Sequence, residues 1–221
     1  MSNNDQYKFH DAGEHEHPIR WREKGIRFIN QKMLEPITFN DEPVVPKILR
    51  ESTDPPYFYV EKVGIGLGEV LNDSNLSTKL GLKLLLHITN QLKEIDKDGF
   101  VLFDRGGENI RVLQCDENKI SVRQTDLEDL YDKNSSALYS SANSSVSEEN
   151  LQTWEDIGVS PWIDTVDSIA RAGIGFVNRN SRPDLSKALL TCISNNPKVD
   201  GKNATLEFLE SSLEKSLSLL M

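Results

Sequence analysis

Cysteine is scarce in this chain: 221 residues contain only Cys115 and Cys192. The two stand far apart, with no CxxC pair and no His-rich zinc spacing. That excludes a disulfide framework and a structural zinc site as organising principles. Long apolar runs are also missing, and no stretch approaches the roughly 18–20 residues that cross a bilayer. The N-terminal segment lacks the basic-then-apolar layout of a secretory signal. A cytoplasmic, reduced protein is therefore expected, although an effector acting in a host cytosol would read the same way. Positive charge is in deficit: 25 Lys and Arg face 35 Asp and Glu, a formal net charge of −10. A phosphate backbone needs basic patches, so nucleic acid is not the expected partner.

The chain is long enough to bury a sizeable core, as one domain or two small lobes. Its first part reads as strands. Pro18–Glu23 and Ile26–Lys32 alternate around Lys24-Gly25 and read as a hairpin. Leu34–Pro43, with two prolines, leaves room for a short helix, and Val44–Glu51 reads as an extended piece. Asp54-Pro55-Pro56 marks a turn. Tyr57–Val63, aromatic and β-branched, reads as a strand. Gly64–Gly68 reads as a flexible connector. It is no dinucleotide fingerprint, because Glu69 stands where the third glycine belongs.

The texture then changes. Leu80, Leu84, Ile88, Leu92 and Ile95 recur at helical spacing, which predicts a helix over Leu80–Ile95. Three short strands follow, at Phe100–Phe103, Ile110–Gln114 and Ile120–Arg123. Seven of the fifteen residues 134–148 are Ser, which reads as a mobile loop. Further helices are predicted over Trp162–Val177, Pro183–Ile193 and Ala204–Leu220. Strands first and helices afterward, with strands interrupting the helical part, point to an α+β chain of two unlike lobes. His15-Glu16-His17 has no third ligand at a defined spacing and reads as exposed polar chain.

The chemistry concentrates in FDRGGENIRV and ISVRQTDLEDL. Asp104 is followed five residues later by Asn109, in a Gly-containing loop between strands. Asp126 follows the next hairpin. Phosphoryl transfer from ATP calls for this set of groups. One carboxylate orients an attacking hydroxyl and accepts its proton; an amide oxygen and a second carboxylate hold Mg²⁺.

These residues resemble the protein-kinase superfamily. Asp104-x4-Asn109 has the spacing of its catalytic loop, and Asp126-Leu127-Glu128 resembles its metal-binding Asp-Phe-Gly. VVPKILRESTDPPYFYVEKV resembles the strands entering the hinge, GIGLGEVL the hinge itself, and TVDSIARAGIGFV the central helix of the large lobe. The resemblance implies a two-lobed α+β fold, with a reduced β-rich N-lobe over residues 1–63 and a mainly helical C-lobe over 64–221. It implies ATP and Mg²⁺ as cofactors and a Ser or Thr of a protein as acceptor. Asp104 would be the base, and Asn109 and Asp126 the metal ligands. Asp167 would brace the catalytic loop, and the Ser-rich stretch would lie in the activation segment.

The sequence departs from the family in its phosphate-binding half. Leu102 and Phe103 replace the usual His-Arg, and Gly106 replaces a phosphate-contacting Lys, for which Arg105 or Arg111 would substitute. Gly13 and Gly25 are the only glycines before the hinge strands, so there is no glycine-rich phosphate loop. Lys32 is the first candidate for the strand lysine and Lys24 the second, with its partner being Glu35, Glu42 or absent. Three alternatives stay open: a small-molecule kinase of the aminoglycoside or choline type, a pseudokinase that binds without transfer, and nucleotidyl transfer on the same fold.

Overall fold

The computed structural model describes residues 17–20, 24–53, 56–61, 63–140, 146–193 and 204–220. Three strands, β1 (His17–Arg20), β4 (Ile48–Thr53) and β5 (Pro56–Val60), form an antiparallel sheet in the order β1-β5-β4. Helix α1 (Lys24–Leu34) packs near β5. The expected hairpin does not form: Ile26–Lys32 is helix, β1 pairs with β5 instead, and residues 21–23 lie outside the described residues. Arg27, Asn30, Gln31 and Leu34 fall on one helical face, and the last three are buried. That inward face is mostly polar, so its period is hidden from a reading of apolar positions.

The expected short helix over Leu34–Pro43 is instead a two-residue hairpin joining β2 (Thr38–Phe39) and β3 (Glu42–Pro43). Its loop residues Asn40 and Asp41 have φ of 51° and 62°. Asn and Asp tolerate that left-handed region, which suits the primed turns of tight hairpins. The connector at Gly64–Gly68 is also more ordered than expected. Ile65–Gly66 forms β6, and Leu67 opens α2 (Leu67–Asn72).

Helix α3 (Thr78–Lys97) is the spine of the large lobe and contains the segment read from its leucine period. Ser77 caps it by accepting from the Leu80 amide. Leu80, Leu84, Leu85, Ile88, Leu92 and Ile95 are buried against α5 (Ile163–Arg179) and α7 (Leu206–Ser218). Each such side chain gains about 1.5–3 kcal/mol by leaving water, so this seam dominates the lobe's stability. Helix α6 (Pro183–Leu189) and a 3-10 turn at Leu190–Cys192 close the bundle.

The three expected strands appear as β7 (Phe100–Leu102), β8 (Ile110–Cys115) and β9 (Ile120–Gln124). Strands β8 and β9 form a hairpin extended by β6. Two further strands were not legible in the sequence. β10 (Leu130–Asp132) pairs with β7, and β11 (Ala137–Tyr139) pairs with β10 inside the Ser-rich stretch. Residues 141–145 of that stretch and the expected loop over 195–203 lie outside the described residues, as does the His15-Glu16 segment. Helix α4 (Glu148–Asp156) was not anticipated either.

Candidate active site

Strand β7 ends where the chain must turn back into β8. The turn is closed by the Asn109 amide N–H, which donates to the Gly106 carbonyl at 3.0 Å. Within it Asp104 is exposed and takes a φ of 51°. Asp tolerates this left-handed region better than most residues, as Asp41 does in the β2–β3 hairpin. The Asn109 side-chain nitrogen donates to the Asp104 carbonyl at 2.6 Å, leaving the amide oxygen as its remaining polar atom.

Arg105 is 2% exposed and ties this loop to the segment after β9. Its Nε donates to the Phe103 carbonyl at 2.8 Å, Nη1 to the Thr125 carbonyl at 2.6 Å and Nη2 to the Asp126 carbonyl at 2.7 Å. Burial pushes its pKa down to about 10, opposed by the charges of Asp126, Asp104 and Asp129, so it stays cationic at neutral pH. The Ser168 hydroxyl of α5 reaches the Arg105 carbonyl at 3.4 Å from below.

Asp126 mirrors Asp104: it leaves a strand, and its φ is 52°. Leu127 is buried beneath it, and the Phe103 amide donates to the Asp129 carbonyl at 3.0 Å, which zips the two loops together. Helix α1 lies over this segment. Asn30 donates to the carbonyls of Leu127 at 2.6 Å and Tyr139 at 3.2 Å, and Gln31 donates to that of Pro46. One turn earlier, Arg27 Nε donates to Glu128 at 2.5 Å, and Nη2 lies 2.7 Å from Asp126 Oδ1. That second contact is an ion pair by distance but lacks hydrogen-bond alignment, since Asp126 Oδ1 is buried with no hydrogen-bond partner among the described residues.

Asp104, Asn109 and Asp126 thus converge on one junction, stapled by Arg105. The other expected site residues do not. Lys32 is on a helix and not on a strand, 46% exposed and 3.5 Å from Glu35. The strands β1, β4 and β5 contain no lysine at all. Lys24 begins α1. Arg105 points its donors at main-chain carbonyls, which does not support a phosphate contact. Arg111 faces Glu108 at 3.6 Å. Glu42 lies away from the junction, with Lys119 and Arg123. Asp167 pairs with Arg171 along α5, and the adjacent Ser168 reaches the Arg105 carbonyl of the loop. Arg27 and Asn30 were missed in the sequence. Their spacing with Gln31 and Leu34 was the available signal.

The donor set fits a hard divalent cation. Asp104, Asp126, Glu128 and Asp129 set four carboxylates against the guanidiniums of Arg27 and Arg105, an excess of two negative charges. The buried Asp126 Oδ1 has Arg27 as its ion-pair partner but accepts no aligned hydrogen bond among the described residues. Among the described residues no cluster of three or more His, Cys, Asp or Glu could hold a metal alone. Two protein oxygens, from Asn109 and Asp126, match Mg²⁺, which relies on water and phosphate oxygens for the rest of its shell.

Small antiparallel sheet, linking segment, long helix, two site loops flanking a β-hairpin and a helical base: this is a reduced two-lobed protein-kinase-like fold. Solved kinase structures carry the same arrangement. The PknI kinase domain of Mycobacterium tuberculosis, in a single-site variant, matches at TM-score 0.52 and 11% identity, covering 91% of this chain and 84% of that one. The unmodified PknI kinase domain matches at TM-score 0.51 and 10% identity, covering 86% and 78%. A PknI double mutant gives 0.50 and 11%, covering 87% and 79%. No family model matches the sequence, and no curated protein matches it.

Proposed function

We propose that this chain is an ATP- and Mg²⁺-dependent phosphotransferase acting on a hydroxyl, with a Ser or Thr of a protein as acceptor. The observation that carries the reading is the Arg105 staple, which brings the Asp104–Asn109 loop and Asp126 to one junction in a kinase-like fold. Asp104, exposed and held by its left-handed backbone, would orient the acceptor hydroxyl and take its proton. Asn109 and Asp126 would hold Mg²⁺, which supplies charge neutralisation for the phosphates when bound. We place the lobe boundary at 63/64, where Gly64 precedes the short strand that joins β8.

The segment between Asp129 and α5 favours a protein acceptor over a small molecule. It includes β10, β11 and α4, where a small-molecule kinase of the aminoglycoside type has no activation segment. A second reading, nucleotide binding without transfer, is favoured by one feature: Arg27 already sits on Asp126. The test is incubation with γ-labelled ATP and Mg²⁺, offering Ser/Thr peptide libraries beside a panel of small alcohols. Label on peptide that disappears in Asp104→Asn supports the proposal. Nucleotide binding without label transfer supports the second reading.

A further inference from the structure

Helix α1 brings one cation to the site, and the contacts around it say what that cation faces. Arg27, Asn30 and Gln31 share a helical face. Asn30 and Gln31 are 0% and 4% exposed and bonded to main-chain carbonyls of three segments. A helix pinned in this way cannot rotate freely, so Arg27 is held over Asp126. Among the described residues it is the side-chain cation paired with both Asp126 and Glu128. Among the described residues the other cations near the site are engaged. Arg105 is buried on carbonyls, Arg123 is held by Glu42 and Glu61, Arg111 faces Glu108, and Lys32 pairs with Glu35.

We propose that Arg27 is the phosphate-binding residue of this site, a helix-borne guanidinium taking the place of the lysine its strands lack. The inference rests on the phosphotransferase reading above. A guanidinium offers five donors in a planar fork that fits phosphate oxygens, and Arg27 Nη1 makes no hydrogen bond among the described residues. It also lines a small cavity of about 50 Å³ with Val60, Thr125 and Asp126, with its side chain 25% exposed. Asp126 and Glu128 hold it ready, and phosphate oxygens compete with them for its donors. Glu128 is then a brake on phosphate affinity.

The experiment is calorimetric titration of adenosine, ADP and ATP, each with Mg²⁺, into the wild-type chain, Arg27→Gln, Glu128→Gln and the double variant. Arg27→Gln is expected to weaken ADP and ATP by roughly tenfold to a hundredfold, as for a lost charged hydrogen bond, and to leave adenosine unchanged. Glu128→Gln is expected to tighten ADP and ATP several-fold, and that gain should vanish when Arg27→Gln is added. Equal ATP affinity in wild type and Arg27→Gln overturns the inference while the phosphotransferase reading stands. Tighter ATP binding in Arg27→Gln overturns it too, because Arg27 would then only block Asp126. If the wild type binds neither ADP nor ATP, both readings fall together. If Arg27→Gln does not fold, the Glu128→Gln arm decides: no gain in ATP affinity overturns the inference.

Discussion

The Asn109 side chain donates to the Asp104 carbonyl across 2.6 Å, so the proposed metal ligand also fixes the backbone of the proposed base. Coupling of this kind makes the two residues separable only by choosing substitutions that respect the backbone. Asp104→Asn keeps a residue that tolerates φ near 51° and removes the carboxylate. Phosphate transfer should fall by about 10²–10⁴, the usual worth of a general base, with ATP affinity unchanged. Single-turnover transfer rates and a binding titration check both halves.

Arg105 is a test of the staple and not of chemistry. Arg105→Met leaves the Thr125 and Asp126 carbonyls without their buried donor. Unfolding in urea should show a loss of about 3 kcal/mol or more, given about 1.5–3 kcal/mol for each hydrogen bond to a charged group. Arg105→Lys should recover only part of it, because one ammonium cannot span three carbonyls.

Two glycines of the linking segment should respond with opposite signs. A Cβ on Gly64 would lie 1.8 Å from the Val112 carbonyl oxygen, so Gly64→Ala must pull β6 off β8. A Cβ on Gly68 would meet nothing within 4 Å, and Gly68 is helical. Gly68→Ala should stabilise by about 0.5–1 kcal/mol, whereas Gly64→Ala should destabilise by more than about 2 kcal/mol. Thermal melts of the two variants, side by side, decide this.

Acid sensitivity should trace in part to His87. Burial pushes its pKa from 6.5 down to about 4, against an opposing pull from the Glu42 charge, and its ring packs edge-on against Phe39 at 4.9 Å. A base whose folded pKa is depressed takes up its proton more readily when unfolded. Its contribution is therefore complete above about 6.5 and is lost as the pH falls toward 4. Urea midpoints measured between pH 7 and 4 should drop more steeply for the wild type than for His87→Gln.

The large lobe was the legible part of the fold. Helix α3 announced itself because its inward face is a run of leucine and isoleucine. The β7–β8–β9 strands did so because Gly-containing and Asp-containing turns separate short β-branched runs. Helix α1 was misread because its inward face is polar: Asn30 and Gln31 are buried on main-chain carbonyls of distant segments, and half-buried Arg27 pairs with the Asp126 and Glu128 carboxylates. Apart from their helical spacing with Leu34, nothing local distinguishes them from surface residues. Asp104, Asn109 and Asp126 stood out by spacing alone, yet their left-handed backbones and their link through Arg105 are tertiary facts. Arg105 shows this most clearly: its position beside Asp104 suggested phosphate, and its burial gives it main-chain carbonyls.

The most direct test is a calorimetric titration of ATP, with Mg²⁺ and with chelator, into the wild type and Asp126→Asn. The Asn variant tolerates the same backbone and lacks the charge. Wild type should bind ATP only when Mg²⁺ is present, and Asp126→Asn should weaken that binding by more than about tenfold. Binding that is indifferent to Mg²⁺, or equal in the two proteins, would contradict the assignment of Asp126 as the metal-holding residue of a phosphotransferase.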